Sequence, residues 1–288
     1  MPVNRDEAVG ASMGERDSGW EVDDVILYHL GVGAGVPATD SGELEYTFEK
    51  NLKVLPSFVM VAGGRRPLTG GGGFKIPGVE FNLAQLLHGE QDIEIHKPLP
   101  TACETVNKSK VLDVYDKGKA ALVMLESEVS EKESGDKLYT TRMGAFIRGE
   151  GGFGGPSGPP AGNEPPAREP DGVIESATLP QQALLYRLSG DKNPLHADPE
   201  FAKMAGFDAP IIHGLCSYGI VCKAIVDGVL GGDPTQVARY QARFRGVAWP
   251  GETYLTSWWR EGDRIIVSAK SKERDAPIIS NAAFWVRS

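Results

Sequence analysis

Asp191, Asn193 and His196 fall within six residues in the stretch "YRLSGDKNPLHADPEF", with Pro194 among them. A carboxylate and an imidazole held five positions apart can converge on one water, and either can move a proton near neutral pH. Taken singly, Asp191 reads as a turn-closing residue and His196 as a satisfied, partly buried histidine; together they point to chemistry. A second cluster follows in "APIIHGLCSYG", where His213-Gly214 directly precedes a long helical pattern. A helix start leaves backbone N–H groups unpaired, and glycine lets a ligand come close to them. That is a natural place to bind the oxygen of a reacting carbonyl.

The surrounding residues predict how these groups are held. "ALLYRLSG" is apolar at helical spacing and Gly190 supplies a stop. Pro194 biases Asn193 away from helix, and Asp198-Pro199 makes a cap and first position for a short helix, "PEFAKMAGF". The three polar residues therefore lie on a constrained connection between helical segments.

Further along, the helical "GLCSYGIVCKAIVDGVL" is followed by four strand-like runs, "VARYQARFRGVAW", "ETYLTSWWREG", "RIIVSAKSKE" and "IISNAAFWVR". The first half offers a similar series: "QDIEIHKPL", "ETVNKSKVLDVYDKG", "AALVMLESEVSEKESG" and "KLYTTRMGAFIRG". Both halves place a Glu-Thr pair, Glu104-Thr105 and Glu252-Thr253, shortly after a proline, Pro100 and Pro250. These parallels suggest a duplicated α+β unit with antiparallel sheets. "GVGAGV", Gly31 to Val36, follows helical spacing instead of a strand, so it is not a dinucleotide loop. "TGGGGF" near Thr69 lacks the Lys-Ser/Thr ending of a phosphate loop.

The chain has 288 residues, a hydrophobic fraction of 41% and a charged fraction of 24%, as expected of an ordinary globular protein. Its net charge of −9 argues against nucleic acid as the main partner. The three cysteines, Cys103, Cys216 and Cys222, have no disulfide or metal-ligand spacing and read as apolar thiols in a reducing compartment. Residues 1–19 are polar and read as a mobile tail without a signal peptide. No run approaches the roughly twenty apolar residues of a membrane span. A cytoplasmic protein with no membrane partner is expected. Gly149 to Gly172 is dominated by glycine and proline and reads as a linker between the halves.

The stretch from Tyr186 to Gly219, with its GDxNPxH pattern and later His213-Gly214, resembles the MaoC-like hydratases, specifically the R-specific 2-enoyl-CoA hydratase 2 group. The resemblance extends over nearly the whole chain, through "LYHLGVGAG", "LPSF", "LLHGEQDIEIHKPLP", "GGFGG" and "ISNA", and is similar to the hydratase domain of peroxisomal multifunctional enzymes type 2. It implies a double hotdog fold, each repeat a long helix wrapped by a curved antiparallel sheet. The repeats would span residues 20–148, holding a medium to long or bulky acyl chain without catalysing, and 173–288, carrying the catalysis.

The activity it implies is reversible hydration of a trans-2-enoyl-CoA to a (3R)-3-hydroxyacyl-CoA in lipid metabolism, by a homodimer, with no metal or redox cofactor. Asp191 and His196 would hold and activate the water, Asn193 would orient water or thioester, and the Gly214 N–H would bind the thioester oxygen. Which of Asp191 and His196 is the base stays open. Glu49, Tyr28 and His213 are implied at the substrate, and His88 reads as structural at the start of a strand. Arg65, Arg66, Lys97, Arg243 and Arg245 are candidates for the carrier's phosphates. A hotdog thioesterase, a non-catalytic acyl-thioester binding protein, and a metal hydrolase built on Asp191, His196, Asp198 and His213 are the alternatives.

Overall fold

The computed structural model describes residues 3–63, 75–82 and 85–287. The first half runs through α1 (Arg5–Ala8), β1 (Ser12–Trp20), α2 (Val22–Gly31), α3 (Ser41–Thr47) and a 3₁₀ turn at Pro56–Met60. Strands β2 (Leu86–Ile95), β3 (Cys103–Asp116), β4 (Ala120–Glu131) and β5 (Lys137–Arg148) follow. The second half runs through β6 (Gly172–Ala177), α4 (Gln182–Tyr186), α5 (Pro199–Met204) and α6 (Gly214–Val229). It ends with β7 (Val237–Phe244), β8 (Thr253–Glu261), β9 (Arg264–Ser271) and β10 (Pro277–Val286).

All ten strands join one antiparallel sheet in the order β1-β3-β4-β5-β2-β7-β10-β9-β8-β6. Within each half the order is the same: the first strand lies at the outer edge, the third, fourth and fifth come next, and the second lies at the seam. The halves meet where β2 pairs with β7, with Ile93 opposite Tyr240. This is the duplicated α+β architecture of a double hotdog. The corresponding strand starts receive corresponding bonds, since Lys132 N donates to Glu104 O and Lys272 N to Thr253 O. The two Glu-Thr pairs are therefore out of register by one residue.

α6 is apolar on nearly every side, as a helix enclosed by its sheet must be. Cys216, Tyr218, Ile220, Val221, Cys222, Ile225 and Val226 are all buried in the main core. Among the described residues the first repeat shows no long central helix: between β1 and β2 these form the ten residues of α2, the seven of α3 and the turn at Pro56–Met60. Gly33 and Gly35 adopt positive φ just beyond α2 and turn the chain away.

One reading of the sequence needs correction. The expected tail at residues 1–19 contains α1 and most of β1, whose residues pair with β3 from Ser12 opposite Lys110 to Trp20 opposite Cys103. The Gly/Pro-rich stretch joins the repeats without helix or strand, as a linker would, and is fastened to the sheet as a strap. Asp116 accepts the N–H groups of Gly152 and Gly154 at 2.9 and 2.8 Å, and Asn281 of β10 donates to Gly162 O at 2.7 Å. Arg168 pairs with Glu261 at 2.9 Å, while Trp259 donates to Arg168 O. Its composition forbids helix and sheet, but side chains from both repeats satisfy its backbone. No helix among the described residues is long and apolar enough to cross a membrane.

Candidate active site

The loop from Gly190 to Asp198, which carries the candidate site residues, is built by local rules. α4 gives way to a 3₁₀ turn at Arg187–Ser189, and Gly190, at φ 138°, reverses the chain as few other residues can. Asp191 then closes a turn by accepting the Asn193 N–H at 3.0 Å. Asn193 in turn caps the 3₁₀ turn Pro194–His196, its side-chain oxygen accepting from Leu195 N at 3.0 Å. Asp198 caps α5 through the N–H groups of Glu200 and Phe201. The loop's shape is thus set by three successive side-chain caps.

The tertiary fold then brings the start of α6 against this loop. One ligand-capable atom from each of Asp191, His196 and His213 lies within 4.8 Å of the others. His196 is buried at 8% exposure, whereas Asp191 is exposed. His196 Nδ1 donates to the carbonyl of Ile211 at 2.8 Å, so Nε2 of the neutral ring is left as an acceptor. Burial lowers the His196 imidazole below its ordinary range, against a smaller upward pull from the Ile211 bond and the Asp191 charge. A buried, neutral imidazole beside an exposed carboxylate can hold a water and take its proton.

His213 is the N-cap of α6 and Gly214 its first residue, so the first N–H groups of the helix have no intrahelical acceptor. The Gly214 N–H stands where an anionic oxygen could be met. A Cβ on Gly214 would lie 3.3 Å from the Phe244 ring, which limits this position to glycine without rearrangement. Phe244 in turn packs edge-on against His88 of β2 at 4.9 Å between ring centres. The site therefore sits at the β2/β7 seam, and the first repeat contributes part of its surroundings.

Asp191, Asn193, His196, His213 and Gly214 are brought together, though His213 is only 1% exposed and faces the protein instead of an open cleft. Tyr28 and Glu49 are not brought to the loop. Tyr28 is fully buried among Phe58, His29 and Tyr186, with its hydroxyl in the space that the missing side chain of Gly219 leaves on α6. Glu49 is exposed on the turn after α3, and none of the hydrogen bonds of the site runs to it. His88 is more than a strand-start residue: it bonds Gln91 at 3.0 Å, supports Phe244, and feels the Asp191 charge while desolvation pushes its imidazole down to about 4. Sequence reasoning also missed Arg187, whose guanidinium donates to Lys192 O and acts on both site histidines.

Of the basic candidates, Arg65 and Arg66 lie outside the described residues. Lys97 pairs with Asp136 and Arg243 with Glu90, whereas Arg245 is exposed with no ion-pair partner among the described residues. A cavity of about 260 Å³ lined by Leu52, Val54, Ile95, Leu99 and Pro234 lies beyond the opposite end of α6 and is separate from the catalytic loop.

Metal binding fits this geometry poorly. The rings of His196 and His213 stack at 3.7 Å with 27° between planes. Nitrogen lone pairs lie in the ring planes, and nearly parallel stacked planes do not aim theirs at one point between them.

Residues 19–149 match the model of the MFE-2 hydratase 2 N-terminal domain, and residues 162–282 that of the MaoC like domain. The enoyl-CoA hydratase ChsH3 of Mycobacterium tuberculosis is 43% identical, over 97% of each chain. The peroxisomal enoyl-CoA hydratase 2 of Arabidopsis thaliana is 44% identical, over 89% of this chain and 87% of the relative. Among solved structures, a MaoC-like dehydratase from Phytophthora capsici superposes with a TM-score of 0.88 at 32% identity, covering 99% of each chain.

Proposed function

Because the chain belongs to the MaoC-like family of two-repeat hydratases, with hydratase 2 and MaoC-like halves, we propose that it hydrates trans-2-enoyl-CoA thioesters reversibly to (3R)-3-hydroxyacyl-CoA. The observation that carries this reading is the placement of Asp191 and His196 beside the Gly214 start of α6. One group of donors and acceptors holds a water; the other receives a carbonyl oxygen.

The enoyl thioester enters with its carbonyl oxygen at the Gly214 N–H. Asp191 and His196 hold one water over C3, and Nε2 of His196 is the acceptor that the Ile211 bond leaves free. As the water oxygen bonds to C3, the π electrons move toward C2 and the thioester oxygen, where the helix start stabilises the developing enolate. The proton taken from the water returns to C2 on the same face. All atoms of the water end in the product, and no redox partner is consumed. An oxyanion donor of this type is worth roughly 3 kcal/mol in the transition state. Asn193 spends its side-chain oxygen on the loop and retains its NH₂ for water or thioester.

The thioester itself acidifies C2, so the proposal requires no metal or redox cofactor. It also includes a homodimer in a reducing compartment such as the cytoplasm, where Cys103, Cys216 and Cys222 remain the free thiols found here. Of the basic candidates among the described residues, Arg245 is exposed and without an ion-pair partner, and would be available to the carrier's phosphates. The test is a panel of enoyl-CoA chain lengths followed by loss of enoyl absorbance, with chiral analysis of the product and a parallel assay for free thiol. Hydration to the 3R alcohol by chelator-treated protein is expected. Thiol release without hydration would replace this reading with a thioesterase.

A further inference from the structure

His213 is implied at the substrate by resemblance, yet its side chain is enclosed. It lies between the Tyr186 ring, 4.9 Å away, and the stacked face of His196. We propose that His213 is a positioning residue: it ties the Asp191 carbonyl to the start of α6 and supports the His196 ring from beneath, so that the water-holding loop and the oxyanion helix keep one mutual geometry. This rests on the hydratase reading above.

The hydrogen-bond pattern defines its state. His213 Nε2 lies 3.3 Å from the backbone oxygen of Asp191, and a carbonyl only accepts, so Nε2 carries the hydrogen. Nδ1 is then an unprotonated nitrogen, buried with no partner among the described residues. A second proton there would create a buried cation with nothing to receive its bond. Desolvation, and next the neighbouring His196, hold the His213 imidazole well below its ordinary range.

Neutrality suits the stacking. The charged and titratable groups facing His196 are Asp191 and Arg187 from the preceding segment and His213 from the start of α6. When His196 takes the water's proton it becomes a cation over an aromatic face, which is attractive if that ring is neutral. The same contact would be repulsive if His213 were charged. The stacked ring also keeps water off one face of His196.

Two substitutions in the full chain separate these contributions. His213→Phe keeps a ring under His196 but loses the bond to Asp191; His213→Gln keeps an N–H donor but loses the ring. Each is expected to fold, by melting and circular dichroism, and to lower kcat roughly ten-fold with little change in KM, His213→Phe through the lost hydrogen bond and His213→Gln through the lost ring support. In His213→Gln the acid limb of kcat/KM moves up toward the ordinary imidazole value, because water replaces the ring; in His213→Phe it stays with the wild type. NMR titration of the His196 ring, without substrate, reports the same displacement. Wild-type kcat and an unmoved His196 titration in both variants, or a kinetic loss that only tracks loss of folded protein, would overturn the proposal. If the unsubstituted chain hydrates no enoyl-CoA, the functional reading fails instead, and the titration still decides whether His213 controls His196.

Discussion

His196 donates its Nδ1–H to the carbonyl oxygen of Ile211 at 2.8 Å, and this one bond leaves Nε2 as the ring nitrogen free to accept. Burial also holds that imidazole below its ordinary 6.5, so the base form persists into mildly acidic solution. The acid limb of kcat/KM is therefore expected to have its midpoint below 6.5. A measured midpoint at or above 6.5 would mean that His196 is not the group titrating in the free enzyme.

Asp191→Asn isolates the carboxylate charge. The amide oxygen can still accept the Asn193 N–H, and the side chain is exposed, so the loop and the melting temperature should hold. Hydration of an enoyl-CoA is expected to slow by roughly 10²- to 10⁴-fold, the usual range for a lost acid–base group. Turnover at the unsubstituted rate would remove Asp191 from the mechanism.

Gly214→Ala puts a methyl group 3.3 Å from the Phe244 ring, at the position proposed to meet the thioester oxygen. The ring must give by a few tenths of an ångström, and kcat/KM should fall about ten-fold, because small misplacements at a reacting centre are costly. Adding Phe244→Leu should return part of the loss, so a double-substitution cycle in kcat/KM reads the coupling directly. Strictly additive losses would place the effect elsewhere.

Gly151→Ala tests the strap. Its new Cβ would lie 2.4 Å from Ala120 N and 2.5 Å from Gly118 O, both rigid backbone atoms. Overpacking of this kind costs roughly 1–3 kcal/mol. Calorimetry should show a lower Tm, while kcat per folded molecule stays at the wild-type value. An unchanged Tm would show that the strap is loosely held.

Stability should also depend on pH through buried neutral histidines. His29 donates from Nδ1 to Tyr46 O and accepts the Leu55 N–H, and burial pushes its imidazole down to about 4. His213 is lowered by the same cause. For such groups the unfolded chain binds the proton first, so full stability holds above about 6.5 and is lost as pH falls from there toward 4. Each histidine contributes a slope of up to about 1.4 kcal/mol per pH unit within that window. Urea unfolding at pH 7.5, 6 and 5 measures it, and a flat profile would show that these rings are hydrated.

Much of this architecture was legible because the interior strands alternate. The eight strand-like runs correspond to β2 to β5 and β7 to β10, where one face is buried and β-branched or aromatic residues mark it. β1 and β6 escaped notice since both are edge strands with little buried surface; β1 reads "SMGERDSGW" and buries only Trp20 fully. The fastening of the strap was not legible for a related reason: glycine and proline exclude regular structure, but say nothing of side chains elsewhere that bind the chain's backbone.

By itself the sequence determined the local chemistry. Gly190, the caps at Asp191, Asn193 and Asp198, Pro194, and the His213-Gly214 helix start are short-range rules, acting over two to four residues, and they shape both parts of the site. The meeting of those parts belongs to tertiary structure. His196 stacks on a residue seventeen positions away, Phe244 covers Gly214 from another strand, and His88 arrives from the other repeat across the β2/β7 seam. Burial decided the rest: Tyr28 went into the core and Glu49 to the surface, while His213 was enclosed, because desolvation and packing depend on what the whole fold places around a side chain.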